Sequence, residues 1–157
     1  MQEIERKFLV KSDDFKNQAS EKILFIQAYL NTHPERTIRI RISGDHAFMT
    51  IKGKSSENGL SRFEWEKEIA MTDAQELLDL CEPGKIKKNR YLINVGDHTY
   101  EVDEFLEENK GLVLAEIELE SEKESFEKPD WLGEEVTGNL DYYNSNLIRK
   151  PFKNWKE

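Results

Sequence analysis

Cysteine, proline and histidine are scarce in this chain: 157 residues contain one Cys, four Pro and three His. A single thiol, Cys81, excludes an internal disulfide, and its place in an apolar helical pattern makes it a buried thiol rather than a nucleophile. His33, His46 and His98 fall in separate turn-like stretches without zinc-ligand spacing, which argues against a zinc centre. No Gly-rich loop of the Walker type ends in Lys-Ser or Lys-Thr, so a P-loop ATPase is disfavoured. No apolar run approaches the roughly 18 residues a membrane helix needs, and no basic segment leads into an apolar stretch with a cleavage site. These absences imply a soluble, cytoplasmic protein without a membrane partner. Repeats and low-complexity tracts are also missing, and the longest turn-rich stretch, "GKSSENGLS" at 53–61, reads as one loop. A single domain over 1–157 is therefore expected. Positive charge is in deficit, with 23 Lys and Arg against 32 Asp and Glu. The net charge of −9 argues against non-specific nucleic-acid binding, although it can conceal a local basic site.

Bulky core material is present, with eight Phe, five Tyr and three Trp, so the chain folds despite its polarity. Extended patterns cover 2–10, 23–30, 36–43, 46–53, 61–70, 85–95, 98–106 and 112–122. "SGDH" at 43–46 and "VGDH" at 95–98 are hairpin signals, which makes neighbouring strands antiparallel. In "TDAQELLDLCEPG" the capping-box spacing of Thr72 and Gln75 precedes a stripe of Ala74, Leu77, Leu78 and Cys81 and a Pro83–Gly84 stop, predicting a helix. A weaker helix is expected over 12–21, another over 139–149, and short helical pieces near 122–128. The fold class is α+β, mainly β: an antiparallel β-barrel of about eight strands with peripheral helices, since closure removes the sheet edges.

Nearly every strand carries a charged or polar face. The in-phase sets are Glu3, Glu5 and Lys7; Gln27 and Tyr29; Arg39 and Arg41; Thr50 and Lys52; Arg62, Glu64 and Glu66; Lys88 and Arg90; Glu101 and Asp103; and Glu116, Glu118 and Glu120. A solvated face is the ordinary reading of any one strand. Taken together, inward-facing charges explain both surfaces, because the opposite faces, with Ile38, Ile40, Ile42, Phe63, Trp65, Ile117 and Leu119, can then pack beneath helices. Phe105 and Trp131 join Phe63 and Trp65 as expected outer-barrel and helix-packing residues rather than a base-stacking platform, and Phe8 is expected to continue the inward parity near its strand's end. Buried charges are costly unless paired, hydrated or neutralised by a ligand and metal. Arg and Lys suit a polyphosphate, and clustered carboxylates suit Mg²⁺ or Mn²⁺.

With these residues in place, the chain resembles the CYTH-domain proteins of the triphosphate tunnel metalloenzyme family. "EIERKFLV" carries the E-x-E-x-K signature as Glu3, Glu5 and Lys7, and the likeness continues through "QAYL", "IRIR", "FMTIKG", "GLSRFEWE", "KNRY", "EVDEF", "AEIELE" and "WLGEEVTGN". The resemblance implies an eight-stranded antiparallel tunnel that binds a triphosphate with a divalent metal, Mg²⁺ or Mn²⁺. It implies metal-facing acids at Glu3, Glu5, Asp103, Glu116 and Glu118, with Glu64 and Glu66 as further tunnel acids. Phosphate-facing bases are Lys7, Arg39, Arg41, Lys52, Arg62, Lys88 and Arg90, and Tyr29 and Lys88 match positions close to the reacting water or phosphate. One departure stands near the C-terminus: where similar members read V-T-x-D-x-R-Y-x-N, this chain has "VTGNLDYYN", with Asn139 at the usual Asp and Asp141 at the usual Arg. Metal-dependent hydrolysis of inorganic tripolyphosphate is the activity the resemblance implies first. A class IV-like adenylate cyclase, a thiamine triphosphatase and a non-catalytic polyphosphate- or nucleotide-binding module are the alternatives. The polar exterior permits a monomer, and exposed barrel surface permits a homodimer.

Overall fold

A computed structural model describes residues 2–155; Met1, Lys156 and Glu157 of the expected domain lie outside the described residues. Alternating side chains and tight turns build nine strands: β1 (Gln2–Val10), β2 (Glu21–Asn31), β3 (Arg36–Ser43), β4 (His46–Gly53), β5 (Ser61–Ile69), β6 (Ile86–Val95), β7 (His98–Phe105), β8 (Val113–Leu119) and β9 (Leu132–Glu135). Both hairpin signals form, with Ser43 opposite His46 and Val95 opposite His98. Gly44 has φ +58 at the first central position, which is what a type II′ turn requires.

The sheet runs β5-β4-β3-β2-β6-β7-β8-β1-β9, with an added β5–β1 pairing that closes β1 to β8 into an antiparallel barrel. The closing seam is short, joining Gln2, Glu3 and Ile4 to Phe63, Arg62 and Ser61. Further along the same edge, β1 pairs instead with β9, an unforeseen strand outside the barrel. The gap between these partners is filled by Leu60, whose carbonyl accepts from Glu5 N, and by Val136 and Thr137 against Lys7.

Because the charged parities point inward, the apolar parities need covers outside. Tyr91, Ile93, Tyr100, Val102, Ala115, Ile117 and Leu119 form one core beneath Phe15, Trp131 and Leu132. Phe8 belongs to that outer core and lies against Phe126, with Ile4 packed on the same cluster, so the expected inward parity for Phe8 is corrected: even-numbered β1 residues face outward. On the opposite wall, Ile40 and Ala47 pack beneath Ala74 of α1 (Met71–Asp79). This helix starts one residue before Thr72 and is entered through Ala70 without a side-chain cap, so the expected capping box does not form.

Residues 13–18 make a 3-10 turn capped by Ser12, whose side chain accepts from Asp14 N, in place of a longer helix. Helical pieces near 122–128 are absent. The helix expected over 139–149 is broken into a 3-10 turn, Leu140–Tyr142, and α2 (Asn144–Arg149), with Tyr143 extended between them. A third core closes one end of the barrel, where Ile86, Phe105 and Leu114 continue the inward parities of their strands and meet Leu147 of α2 and Val136. Phe105 is therefore a helix-packing residue as expected, placed at the plugged end on the inward parity of its strand. Phe63 and Trp65 do face outward but remain 48% and 43% exposed.

Candidate active site: a tunnel divided by charge

Side chains of the barrel interior enclose two adjoining chambers that share Glu3, Glu5, Arg39, Lys52, Arg90 and Glu116. The inner one, about 70 Å³, lies next to the plugged end and adds Lys7, Arg62 and Lys88 to those cations, together with Tyr29, Thr37, Thr50, Tyr143 and Asn144. The outer one, about 170 Å³, adds Arg41 but also Glu64, Glu66, Glu101 and Glu118, and every residue lining it is charged. Position along each strand sorts the charges: on β5, Arg62 faces the inner chamber while Glu64 and Glu66 face the outer one. One continuous passage thus runs from a cationic interior to an acidic opening.

Apart from Arg62, whose Nε donates to the Gly53 carbonyl at 3.1 Å, each tunnel cation reaches an acid from a different strand. Lys52 Nζ donates to Glu3 Oε1 at 3.0 Å, and Lys7 Nζ lies 3.1 Å from Glu116 Oε2. Arg39 and Arg41 approach Glu66 at 3.5 and 3.6 Å, and Thr50 Oγ1 donates to the same carboxylate at 2.7 Å. Asp103 accepts Arg90 Nε at 2.8 Å and Arg90 Nη2 at 2.9 Å, and its Oδ2 is 2.8 Å from Lys88 Nζ. At 3% exposed, Asp103 lines neither chamber; its oxygens are committed to two cations behind the wall.

Charges so enclosed shift in proton affinity. Burial resists ionisation of Glu116, yet Lys7 and Arg90 hold its pKa down to about 2. Burial opposes ionisation of Asp103 too, and Arg90 and Lys88 overcome it, keeping its carboxyl well below the usual range. Glu5 goes the other way, pushed up to about 8 by burial and by the neighbouring Glu116 charge. Glu64 and Glu118 are likewise raised by burial and by Glu3. Arg41 is lowered to about 9, first by burial and then by Arg39 and Arg90. Lys88 is lowered to about 8 by burial with repulsion from Arg90, against the pull of Asp103.

Two kinds of unmet demand coexist here. The buried Nε atoms of Arg39 and Arg41 have no acceptor, which suits an incoming anion. Glu5, Glu64 and Glu118 are short of positive charge, which suits a hard divalent cation with oxygen ligands. Among the described residues no three of these carboxylates are gathered closely enough to hold a metal as they stand. Repulsion and separate cation partners, Lys52 for Glu3 and Lys7 for Glu116, keep them apart.

All the sequence-predicted cations and Tyr29 line this tunnel, as do Glu3, Glu5, Glu64, Glu66, Glu116 and Glu118; Asp103 stands behind it. Glu101, in phase with Asp103 but given no role beforehand, faces the outer chamber and lies 3.1 Å from Arg90 Nη1. Phe25 was missed: its ring lies 4.6 Å from both the Arg41 and the Arg90 guanidinium carbons, a cation–π wall between two tunnel arginines. Its parity with Gln27 and Tyr29 was the available signal. Asp141 is exposed and touches no tunnel cation; its backbone N–H donates to Asn139 Oδ1, so both departures serve the turn before α2.

Residues 1–152 match the CYTH domain. The chain is 47% identical over 156 residues to an inorganic triphosphatase of Acetivibrio thermocellus, spanning 99% of this chain and 98% of the relative. It is 38% identical over 151 residues to an inorganic triphosphatase of Nitrosomonas europaea, covering 94% and 97% of the two chains. Among solved structures it is similar to the inorganic triphosphatase NE1496, with TM-score 0.64, 33% identity, and 92% and 96% of the two chains covered. The barrel closed by β1 and β5, the charge-lined passage and the full-length match agree: the chain belongs to the CYTH-domain family.

Proposed function

We propose that this chain is a cytoplasmic inorganic triphosphatase that hydrolyses tripolyphosphate to pyrophosphate and phosphate with Mg²⁺ or Mn²⁺. The observation that carries this reading is the division of one tunnel into a cationic chamber and an acidic chamber with common walls. Lys7, Arg39, Lys52, Arg62 and Arg90 would bind the phosphate oxygens of the chain, with Arg41 reaching it from the acidic side. Glu3, Glu5, Glu64, Glu66, Glu116 and Glu118 would hold the divalent cation, which supplies charge neutralisation at the phosphate oxygens. Asp103 serves as the counter-ion that fixes Arg90 and Lys88.

Phosphoryl transfer asks chiefly for positioning and charge stabilisation, and the tunnel is built for both. Lys88 Nζ, with its affinity for a proton reduced, accepts a proton from the attacking water. Tyr29, whose hydroxyl oxygen accepts from Gln27 Nε2 at 3.3 Å, keeps its own O–H free to donate to that water or to a phosphate oxygen. The water oxygen bonds to the terminal phosphorus, the bridging P–O bond breaks, and pyrophosphate leaves with the bridging oxygen.

The test offers tripolyphosphate, ATP and thiamine triphosphate with Mg²⁺ or Mn²⁺ and measures phosphate, pyrophosphate and cyclic AMP. Equal amounts of phosphate and pyrophosphate from tripolyphosphate are expected. Tight binding without product would replace catalysis by a binding module, and cyclic AMP with pyrophosphate from ATP would replace hydrolysis by cyclisation.

A further inference from the structure

The inner chamber ends on a residue that none of the charged strands supplies. Tyr143, extended between the 3-10 turn at Leu140–Tyr142 and α2, lines that chamber with its ring 5.0 Å from Lys7 Nζ and 5.7 Å from the Arg62 guanidinium carbon. Its hydroxyl lies 3.3 Å from Ser55 Oγ, tying the ring to the loop after β4. The flanking residues are anchored to the cradle as well: Lys7 Nζ donates to the Tyr142 carbonyl at 3.3 Å and Lys88 Nζ to Asn144 Oδ1 at 3.1 Å. Behind the segment, Leu147 is fully buried in the core that plugs the barrel.

This arrangement decides how much can follow the terminal phosphate. With the ring in place the inner chamber, at about 70 Å³, is the narrower of the two, against about 170 Å³ for the outer one. The ring thus takes up room that a ribose, nucleobase or thiazole beyond the terminal phosphate would need. A substituent directed the other way meets a chamber lined entirely by Glu, Arg and Lys, with no apolar or aromatic surface on which an organic ring could settle. The inner chamber alone offers such surface, from Tyr29, Leu60 and Tyr143 itself.

Resting on the triphosphatase reading above, we infer that Tyr143 is a specificity-determining residue that closes the cationic end of the tunnel and restricts turnover to phosphate chains bearing no organic ester. The ring acts by occupying space, and its cation–π contacts with Lys7 and Arg62 hold it there.

The experiment compares kcat/KM for tripolyphosphate and for ATP, with Mg²⁺ or Mn²⁺, in wild type, Tyr143→Ala and Tyr143→Phe, after circular dichroism establishes that each is folded. Tyr143→Ala should raise the ATP-to-tripolyphosphate ratio by about tenfold or more. Tyr143→Phe keeps the ring and loses only the Ser55 contact, so its ratio should stay within about twofold of wild type. Should Tyr143→Ala not fold, Leu60→Ala widens the same end from the facing loop and should move the ratio in the same direction. An unchanged ratio in a folded variant with an enlarged chamber, or an equal loss on both substrates, would overturn the inference and leave the triphosphatase reading standing. No hydrolysis of tripolyphosphate by wild type would remove both.

Discussion

Lys88 is the most enclosed of the tunnel cations, 1% exposed, with Asp103 and Asn144 as polar partners and the rings of Phe105 and Phe25 at 5.3 and 5.9 Å from its ammonium nitrogen. Its amine is the proton acceptor of the proposed reaction, so the active form is the one that has lost its proton. Activity of wild type should therefore rise with pH up to about 8 and level off above it. Lys88→Arg keeps the charge but cannot shed a proton in that range, and should lose about 100-fold or more in kcat together with that rise. A Lys88→Arg variant with near-normal kcat would remove the amine from the chemistry.

Two arginines on the same wall should behave oppositely. Arg90 satisfies buried Asp103 through two hydrogen bonds, so Arg90→Ala leaves that carboxylate with Lys88 alone at a cost of about 1–3 kcal/mol, read as a lowered Tm. Arg41 is repelled by Arg39 and Arg90 and has an unpartnered Nε. Arg41→Ala should change stability by less than about 1 kcal/mol while raising KM for tripolyphosphate by about tenfold. Denaturation curves and steady-state kinetics on both variants check the contrast, and a large stability loss in Arg41→Ala would contradict it.

At the level of elements, the plugged end depends on two segments meeting across the closing seam. A Cβ at Gly59, in the loop before β5, would collide with the backbone of Gly138 just before the turn at Leu140–Tyr142, and Gly59 itself has φ +76. Gly59→Ala should therefore destabilise the protein by about 1–3 kcal/mol, measured by urea denaturation, and the loss should exceed that of an alanine placed at exposed Glu57. Comparable effects at the two positions would show that the close approach carries no weight.

These same segments are where sequence patterns were least informative. The hairpins at 43–46 and 95–98 and the alternation of eight strands were legible, because a tight turn and a period of two are local properties. Strand β9 has only four residues, "LGEE", and exists because β1 has an edge left over beyond its short pairing with β5. The break at Tyr143 was equally hidden: "NLDYYNSNLIR" reads as one helix, but Lys7, Arg62 and Ser55, all distant in sequence, hold that residue extended. Thr72 and Gln75 had the right spacing for a cap, yet the helix was set one residue earlier by its packing on Ile40 and Ala47.

Across the whole molecule, alternation decided which residues face inward, and barrel closure decided which of them meet. Glu3 and Lys52 are 49 residues apart and Lys7 lies 130 from Thr137, so no local pattern specifies either contact. The sorting of cations inward and acids toward the opening is likewise a product of register, as is the withdrawal of Asp103 behind Arg90 and Lys88. In the proposed reaction this one passage holds the phosphate chain and the metal side by side. The measurement that reaches it most directly is an anomalous-scattering crystal structure with Mn²⁺ and tripolyphosphate, using Lys88→Ala if turnover is too fast. A manganese peak is expected among Glu3, Glu5, Glu64, Glu66, Glu116 and Glu118, with phosphates reaching Lys7, Arg39 and Arg62. Manganese and phosphate density located outside the barrel would contradict it.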